Sequence, residues 1–181
     1  TDFVLYRRGK IARTGVIPVG GDHITNDLSL GLRISTKRAE SLKIRYGKAM
    51  VDKEDKDENV MLVGDLMIGD RPIPRHAIYK IMHARLEELF VILKNRLGSA
   101  LNTENLPGGV ILTGGVSRTV QLSELAEATL GVPVTLGQSP EWVSDTELRD
   151  PAHSAVLGLL YYGLRGQQAE EDIPPARNNG W

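Results

Sequence analysis

The stretch Val110-Ile111-Leu112-Thr113-Gly114-Gly115-Val116-Ser117 ends an apolar run in two glycines and a hydroxyl. Glycine has no Cβ, so a flat ligand or a second backbone can come close there. A strand–turn–helix unit also aims helical N–H groups at whatever sits above the strand end. A tight turn with no ligand would use the same residues. Ser117 either offers its hydroxyl to a ligand or caps the helix that follows. A second pair, Gly20 and Gly21, precedes another helical stretch and reads equally as an approach site or a bare turn. Glu40 and Lys43 share one helix face at i and i+3, which by itself makes a surface salt bridge. Arg85 lies one turn from Ile81 and Leu89, at the edge of an apolar stripe. A charge there must snorkel, pair with Glu88 or meet a partner. Arg75, at the entry to the same helix, could add a second positive charge.

No constellation for covalent or metal chemistry accompanies these residues. There is no cysteine, hence no disulfide, thiol nucleophile or zinc-thiolate site. His23, His76, His83 and His153 have no ligand spacing and read as surface or capping residues. The loop "DKEDKDEN" lacks the glycine and the closing glutamate of a calcium loop and reads as a solvated tip. No Walker A motif or dinucleotide fingerprint occurs. No catalytic residue and no metal ligand is therefore assigned.

The chain has 22 basic and 23 acidic side chains among 181 residues. A net charge of −1 signals neither a nucleic-acid nor an anionic-membrane partner. No apolar run reaches the length of a membrane span, and no signal peptide is visible. The first residue is Thr1, and a strand pattern starts almost at once, so the sequence reads as part of something longer.

The elements that must position these residues follow from periodicity and punctuation. Phe3 to Tyr6 and Arg13 to Val19 form a hairpin. A helix runs through Leu32, capped by Asp22 or Thr25. A second helix spans Thr36 to Tyr46, capped by Ser35 or Thr36 and closed by Gly47. Lys48 to Val51 and Val60 to Val63 are short strands. Ile78, Met82, Leu86, Leu89, Leu93 and Leu97 mark one face of a long helix from about Pro74 to Leu101. Pro107-Gly108-Gly109 breaks the chain before strand 110–113. A helix from Gln121 to Leu130 leads to strand Val132–Leu136, and Pro151 opens a last helix. Past Gly166 the chain is polar and proline-bearing, the pattern of a mobile tail. The order gives an α/β fold with a central sheet, interrupted by an insertion at about 25–83.

Three motifs occur in order: "IPVGGDHITNDLSLGLRISTKRAESLKIRYG", "ILTGGVS" and "DPAHSAVLGLLYYG". Together they resemble the second half of the actin, sugar-kinase and heat-shock-chaperone ATPase superfamily. With "HARLEEL" at 83–89 the wording is similar to the bacterial cell-division family FtsA. The resemblance covers residues 1 to about 165. It implies a ribonuclease-H-like actin-family lobe with an inserted small α+β subdomain. Subdomain IIA would comprise 1–24 and 84–166, subdomain IIB 25–83, and a tail 167–181. It implies that Gly114, Gly115 and Ser117 meet adenosine, that Glu40 and Lys43 flank base and ribose, and that Gly20 and Gly21 match the family's glycine pair.

The cofactor so implied is ATP, with Mg2+ in the full-length protein. The phosphate-binding loops are incomplete in this chain: Thr1 and Asp2 look like the end of one, without its aspartate and glycines. Nucleotide binding by the chain alone should then be about millimolar, about −4 kcal/mol, with no hydrolysis. Weak ATPase activity at most is implied for the full-length protein. The partners implied are the C-terminal tail peptide of FtsZ, received by Arg85, Glu88 and Arg75, and further copies in actin-like filaments. Membrane attachment in this family uses an amphipathic helix, which "GQQAEEDIPPARNNGW" does not supply. The location implied is cytoplasmic, on the inner face of the membrane at the division site. A kinase of the same superfamily and a pilus-assembly scaffold are the competing readings.

Overall fold

A computed structural model of the chain describes residues 1–52, 58–62 and 69–171. Residues 53–57 of the charged loop, Val63 of the expected fourth strand, and 172–181 of the expected tail lie outside the described residues. The chain opens with β1 (Asp2–Arg7) and β2 (Lys10–Val16), paired antiparallel. Helices α1 (Gly21–Leu32) and α2 (Thr36–Tyr46) follow. Next come β3 (Asn59–Leu62) and β4 (Arg71–Pro74), a second antiparallel pair. The 23-residue α3 (Arg75–Leu97) leads to β5 (Val110–Leu112), α4 (Leu122–Leu130) and β6 (Val134–Leu136). β5 and β6 pair in parallel, as a strand–helix–strand crossover requires. The last element is α5 (Ser154–Glu171).

The core is built on α3. Its buried residues Ile78, Met82, Leu86, Leu89, Leu93 and Leu97 are the stripe read from the sequence, joined by Tyr79 and Phe90. Ile24, Leu28 and Leu32 of α1 and Leu122, Leu125, Ala126 and Leu130 of α4 belong to the same cluster. Burying each such aliphatic side chain is favourable by about 1.5–3 kcal/mol, so α3 is the spine that fixes the other helices.

Several expectations are corrected. The hairpin, the β3–β4 pair and the β5–β6 pair are three separate two-stranded ladders among the described residues, not one continuous sheet. Lys48 to Val51 is not a strand: Lys48 makes one isolated parallel bridge to Val120, with Ala49 N–H donating to the Val120 carbonyl at 2.8 Å. α3 stops at Leu97 because Gly98 takes φ +53°, and only one 3-10 turn follows. α1 is capped by neither Asp22 nor Thr25. Gly20 is its N-cap, and the His23 imidazole accepts the Gly20 N–H at 3.3 Å. Ser35 occupies the N-cap of α2 but its side chain makes no capping bond. α5 runs on to Glu171, past the point where the tail was expected to begin. Among the described residues no helix is long and apolar enough to cross a membrane.

Candidate functional site

Three segments far apart in sequence meet at the N-terminus of α1. The first is the strand exit: the Thr1 hydroxyl donates to the Val19 carbonyl at 2.6 Å, which pins the start of β1 beside Gly20. The second is α2. Its i, i+3 pair points back at α1, and Lys43 Nζ lies 2.6 Å from Glu40 Oε2, 2.8 Å from Thr25 Oγ1 and 3.1 Å from the Gly21 carbonyl. The third is the glycine loop after β5. A Cβ built on Gly21 would stand 3.3 Å from Val116 Cγ2 and 3.5 Å from Lys43 Nζ. Of the two only the Val116 approach is tight, and it favours a glycine at position 21.

Thr25 is the residue that sequence reasoning misplaced. It is buried, at 4% exposure, on the core side of α1, and its hydroxyl donates to Glu40. Lys43 has three acceptors for its three protons, so its ammonium is spent inside the protein. Glu40 Oε2 is likewise engaged, but the side chain is 42% exposed and retains acceptor capacity toward solvent. Burial pushes the Glu40 carboxyl pKa up. Hydrogen bonds from Lys43 and Thr25, with the Lys43 charge, outweigh that and hold it below its ordinary value. The group the pair can present to a ligand is therefore an ionised carboxylate, suited to accepting hydroxyl hydrogens.

The glycine loop is a 3-10 turn, Gly115–Arg118. Gly114 enters it with φ +92°, which an L side chain rarely adopts. Ser117 is buried and its hydroxyl donates to the Gly114 carbonyl at 2.7 Å. It thus closes its own turn rather than capping α4, which starts after Gln121 at φ +60°. Gly114 N–H donates to the Pro151 carbonyl at 3.1 Å, and the Thr113 and Ser154 hydroxyls are 2.5 Å apart. The loop is thereby pinned to the start of α5. A Cβ on Gly20 or Gly114 would meet nothing within 4 Å, and one on Gly115 only Ala152 Cβ at 3.9 Å.

These glycines leave backbone uncovered, and the Gly21–Val116 and Gly21–Lys43 contacts link the glycine loop to the Glu40–Lys43 pair. Such a surface fits the adenosine end of a nucleotide: a flat ring against main chain, and ribose hydroxyls toward a carboxylate. Lys43, engaged by three protein acceptors, is not free to neutralise phosphates. Among the described residues no group of three or more His, Asp or Glu side chains could hold a metal ion.

The arginines form two separate sites. Arg85 Nε and Nη2 donate to Asp27 of α1 at 2.5 and 3.0 Å, and Nη1 to Glu88 at 2.5 Å. The hydrogen bond to Asp27 does most to raise the Arg85 pKa, against the cost of burial and with help from both carboxylate charges. Glu88 was expected as the partner; Asp27, which ties α1 to α3, was not. Leu30, one turn beyond Asp27, is 69% exposed. Arg75 lies about 15 Å away along the axis of α3, ten residues at 1.5 Å each. It pairs with Glu58 and stands over the Tyr46 ring, 5.2 Å from its centroid.

Comparison with known proteins places this geometry in context. A family model described as "Cell division protein FtsA" matches residues 1–158. The chain is 36% identical over 172 residues to the cell division protein FtsA of Pseudomonas aeruginosa, covering 92% of the chain and 40% of that protein. It is 32% identical over 172 residues to the FtsA of Bacillus subtilis, covering 94% and 38%. The chain thus spans about two-fifths of the length of these curated relatives. Among solved structures it resembles MreB5 of Spiroplasma citri bound to ADP, with TM-score 0.69, 16% identity, and coverage of 91% of this chain and 50% of that one. The AMPPNP-bound form of that protein matches with TM-score 0.64, also at 16% identity. At that identity the likeness shows the fold, an actin-like lobe.

Proposed function

The chain belongs to the FtsA family of cell-division proteins, and from that premise we propose that it supplies one wall of an adenine-nucleotide cleft and a docking surface for the FtsZ tail. What supports the nucleotide reading is the convergence at Gly21, whose carbonyl accepts from Lys43 of α2 at 3.1 Å and beside which Val116 of the glycine loop packs closely. The MreB structures that share this fold are named as bound to ADP and AMPPNP. ATP would lie with its adenosine against Gly20, Gly114 and Gly115 and its ribose toward Glu40. Lys43 and Ser117 would hold that surface in shape rather than touch the ligand. The phosphates and Mg2+ would be held mainly by other parts of the full-length protein.

The FtsZ tail, partly acidic and partly apolar, would meet Arg85 beside Leu30, exchanging one of its carboxylates for Asp27 or Glu88. Arg75 would serve a separate contact. The full-length protein would self-associate like actin and act at the inner face of the membrane, tethering FtsZ. The subdomain division proposed from sequence, with an insertion at 25–83, has its boundaries inside α1 and α3, so the two subdomains would share those helices. Titrating full-length protein with a fluorescent ATP analogue tests the cleft, and anisotropy with a labelled FtsZ tail peptide tests the surface. Micromolar-range nucleotide binding that Glu40→Ala weakens is expected. Equal affinity in parent and variant would remove Glu40 from the cleft, and no binding at all would remove the cleft.

A further inference from the structure

We propose that the tip of the β1–β2 hairpin is a contact for an anionic lipid surface, a role that stands apart from both the nucleotide cleft and the FtsZ site. From Phe3 through Gly21 the sequence contains Arg7, Arg8, Lys10 and Arg13 and no acidic residue. The whole-chain charge of −1 conceals this local excess. Arg8 and Gly9 take φ +53° and +74°, two left-handed residues in succession, so a tight two-residue turn carries the charges. Arg7, Arg8 and Lys10 are exposed. Among the described residues Lys43, Lys48, Arg75, Arg85 and Arg118 form ion pairs, whereas Arg7, Arg8 and Lys10 form none.

The hairpin is also held rigidly. Arg13 Nη1 donates to the Arg96 carbonyl at 2.6 Å, and Arg96 Nη1 returns a bond to the Val16 carbonyl at 2.8 Å. Both bonds go to carbonyls, so the two guanidinium charges remain uncompensated and clamp the strands to the end of α3. Directly beneath the turn, Tyr6 and Ile11 are cross-strand partners, each 61% exposed. Cations flanking an aromatic and a β-branched side chain match the boundary layer of a membrane, with phosphates outermost and acyl chains beneath.

Shape favours a lipid layer over a protein. A stable protein contact needs about 800 Å² per partner, which a convex two-residue turn does not present. A plane of phosphates needs no such area, because each guanidinium can engage a phosphate by itself. The tip lies about 20 Å from Thr1, which is bonded to Val19 beside Gly20: six residues from Thr1 to Arg7 at about 3.3 Å each, so a membrane there would leave the cleft end of the hairpin open.

The test is co-sedimentation of this chain with vesicles of phosphatidylcholine, with and without phosphatidylglycerol. Binding only to the phosphatidylglycerol vesicles is expected, and it should fall as salt screens the charges. Arg8→Asn with Lys10→Gln keeps the turn, because asparagine tolerates positive φ. Each lost cation should lower partitioning about fivefold, so the double variant should bind more than tenfold less, with an unchanged circular dichroism spectrum. Tyr6→Ser should weaken binding with both cations in place. The proposal is overturned if the parent ignores phosphatidylglycerol vesicles or if the double variant binds them equally. It is also overturned if the double variant changes only self-association in sedimentation velocity, since the partner would then be a second copy.

Discussion

Thr25→Val would remove the hydroxyl at the centre of the α1–α2 clip while nearly conserving volume. Two charge-assisted hydrogen bonds disappear, the one from Lys43 to Thr25 and the one from Thr25 to Glu40. Hydrogen bonds to charged groups contribute about 1.5–3 kcal/mol each. Lys43 keeps Glu40 and the Gly21 carbonyl, and solvent reaches Glu40, so part of the loss is recovered. A net cost of about 2 kcal/mol is expected, which lowers Tm by about 4–8 °C for a chain of this length. The assay is urea unfolding followed by circular dichroism, with Thr25→Ser as the control that restores a hydroxyl. In full-length protein the same substitution should weaken ATP binding, because Glu40 loses the contact that aims it. A Thr25→Val protein within about 0.5 kcal/mol of the parent would refute the clip, since that is the range of a neutral surface change. A destabilised variant with unchanged nucleotide affinity would instead separate the clip from the cleft.

Glu40→Gln tests the same carboxylate through pH. Its folded-state pKa lies below its ordinary 4.5, so it contributes stability above that value and loses it as pH falls through the folded pKa. The stability gap between parent and Glu40→Gln should therefore be present at neutral pH and close in acid below about 4.5, read by urea unfolding across pH. Gly114→Ala should cost about 1–3 kcal/mol from backbone conformation alone, because φ +92° with ψ 172° is a region glycine alone adopts readily and no atom obstructs a Cβ. Gly115→Val should leave the Tm unchanged, having no positive φ, yet lower ATP affinity in full-length protein by filling the open surface. Asp27→Asn should free the Arg85 fork and tighten FtsZ tail binding a few-fold. Arg85→Gln should weaken it, by about 2 kcal/mol or more; a loss in both variants would mark the pair as a purely structural tie.

What the sequence revealed and what it hid divide along contact distance. The α3 stripe was readable because its period is local and its members all face one way, and the structure buries every residue of it. The strand ending in Gly114 and Gly115 was readable because β-branched residues followed by two glycines punctuate the chain. The partners of polar groups were not readable in the same way. Asp27 meets Arg85 across 58 residues, and no spacing rule on either helix announces that pair. Thr25 left a signal that capping logic overrode: it sits among Ile24, Leu28 and Leu32 on the buried side of α1. A hydroxyl on an apolar stripe requires a polar partner from another element, and Glu40 with Lys43 was the polar pair in want of one. The missing continuous sheet has a different cause. Strands of three residues, such as β5 and β6, carry too little alternation to reveal whether another strand lies alongside. Charge obeys the same rule of scale. A net of −1 over the whole chain describes no surface that a partner could meet, whereas four cations between Phe3 and Gly21 with no carboxylate among them describe one turn. A screening length of about 10 Å is roughly half the length of the β1–β2 hairpin, so a partner at its tip meets these cations and not the net charge of the chain.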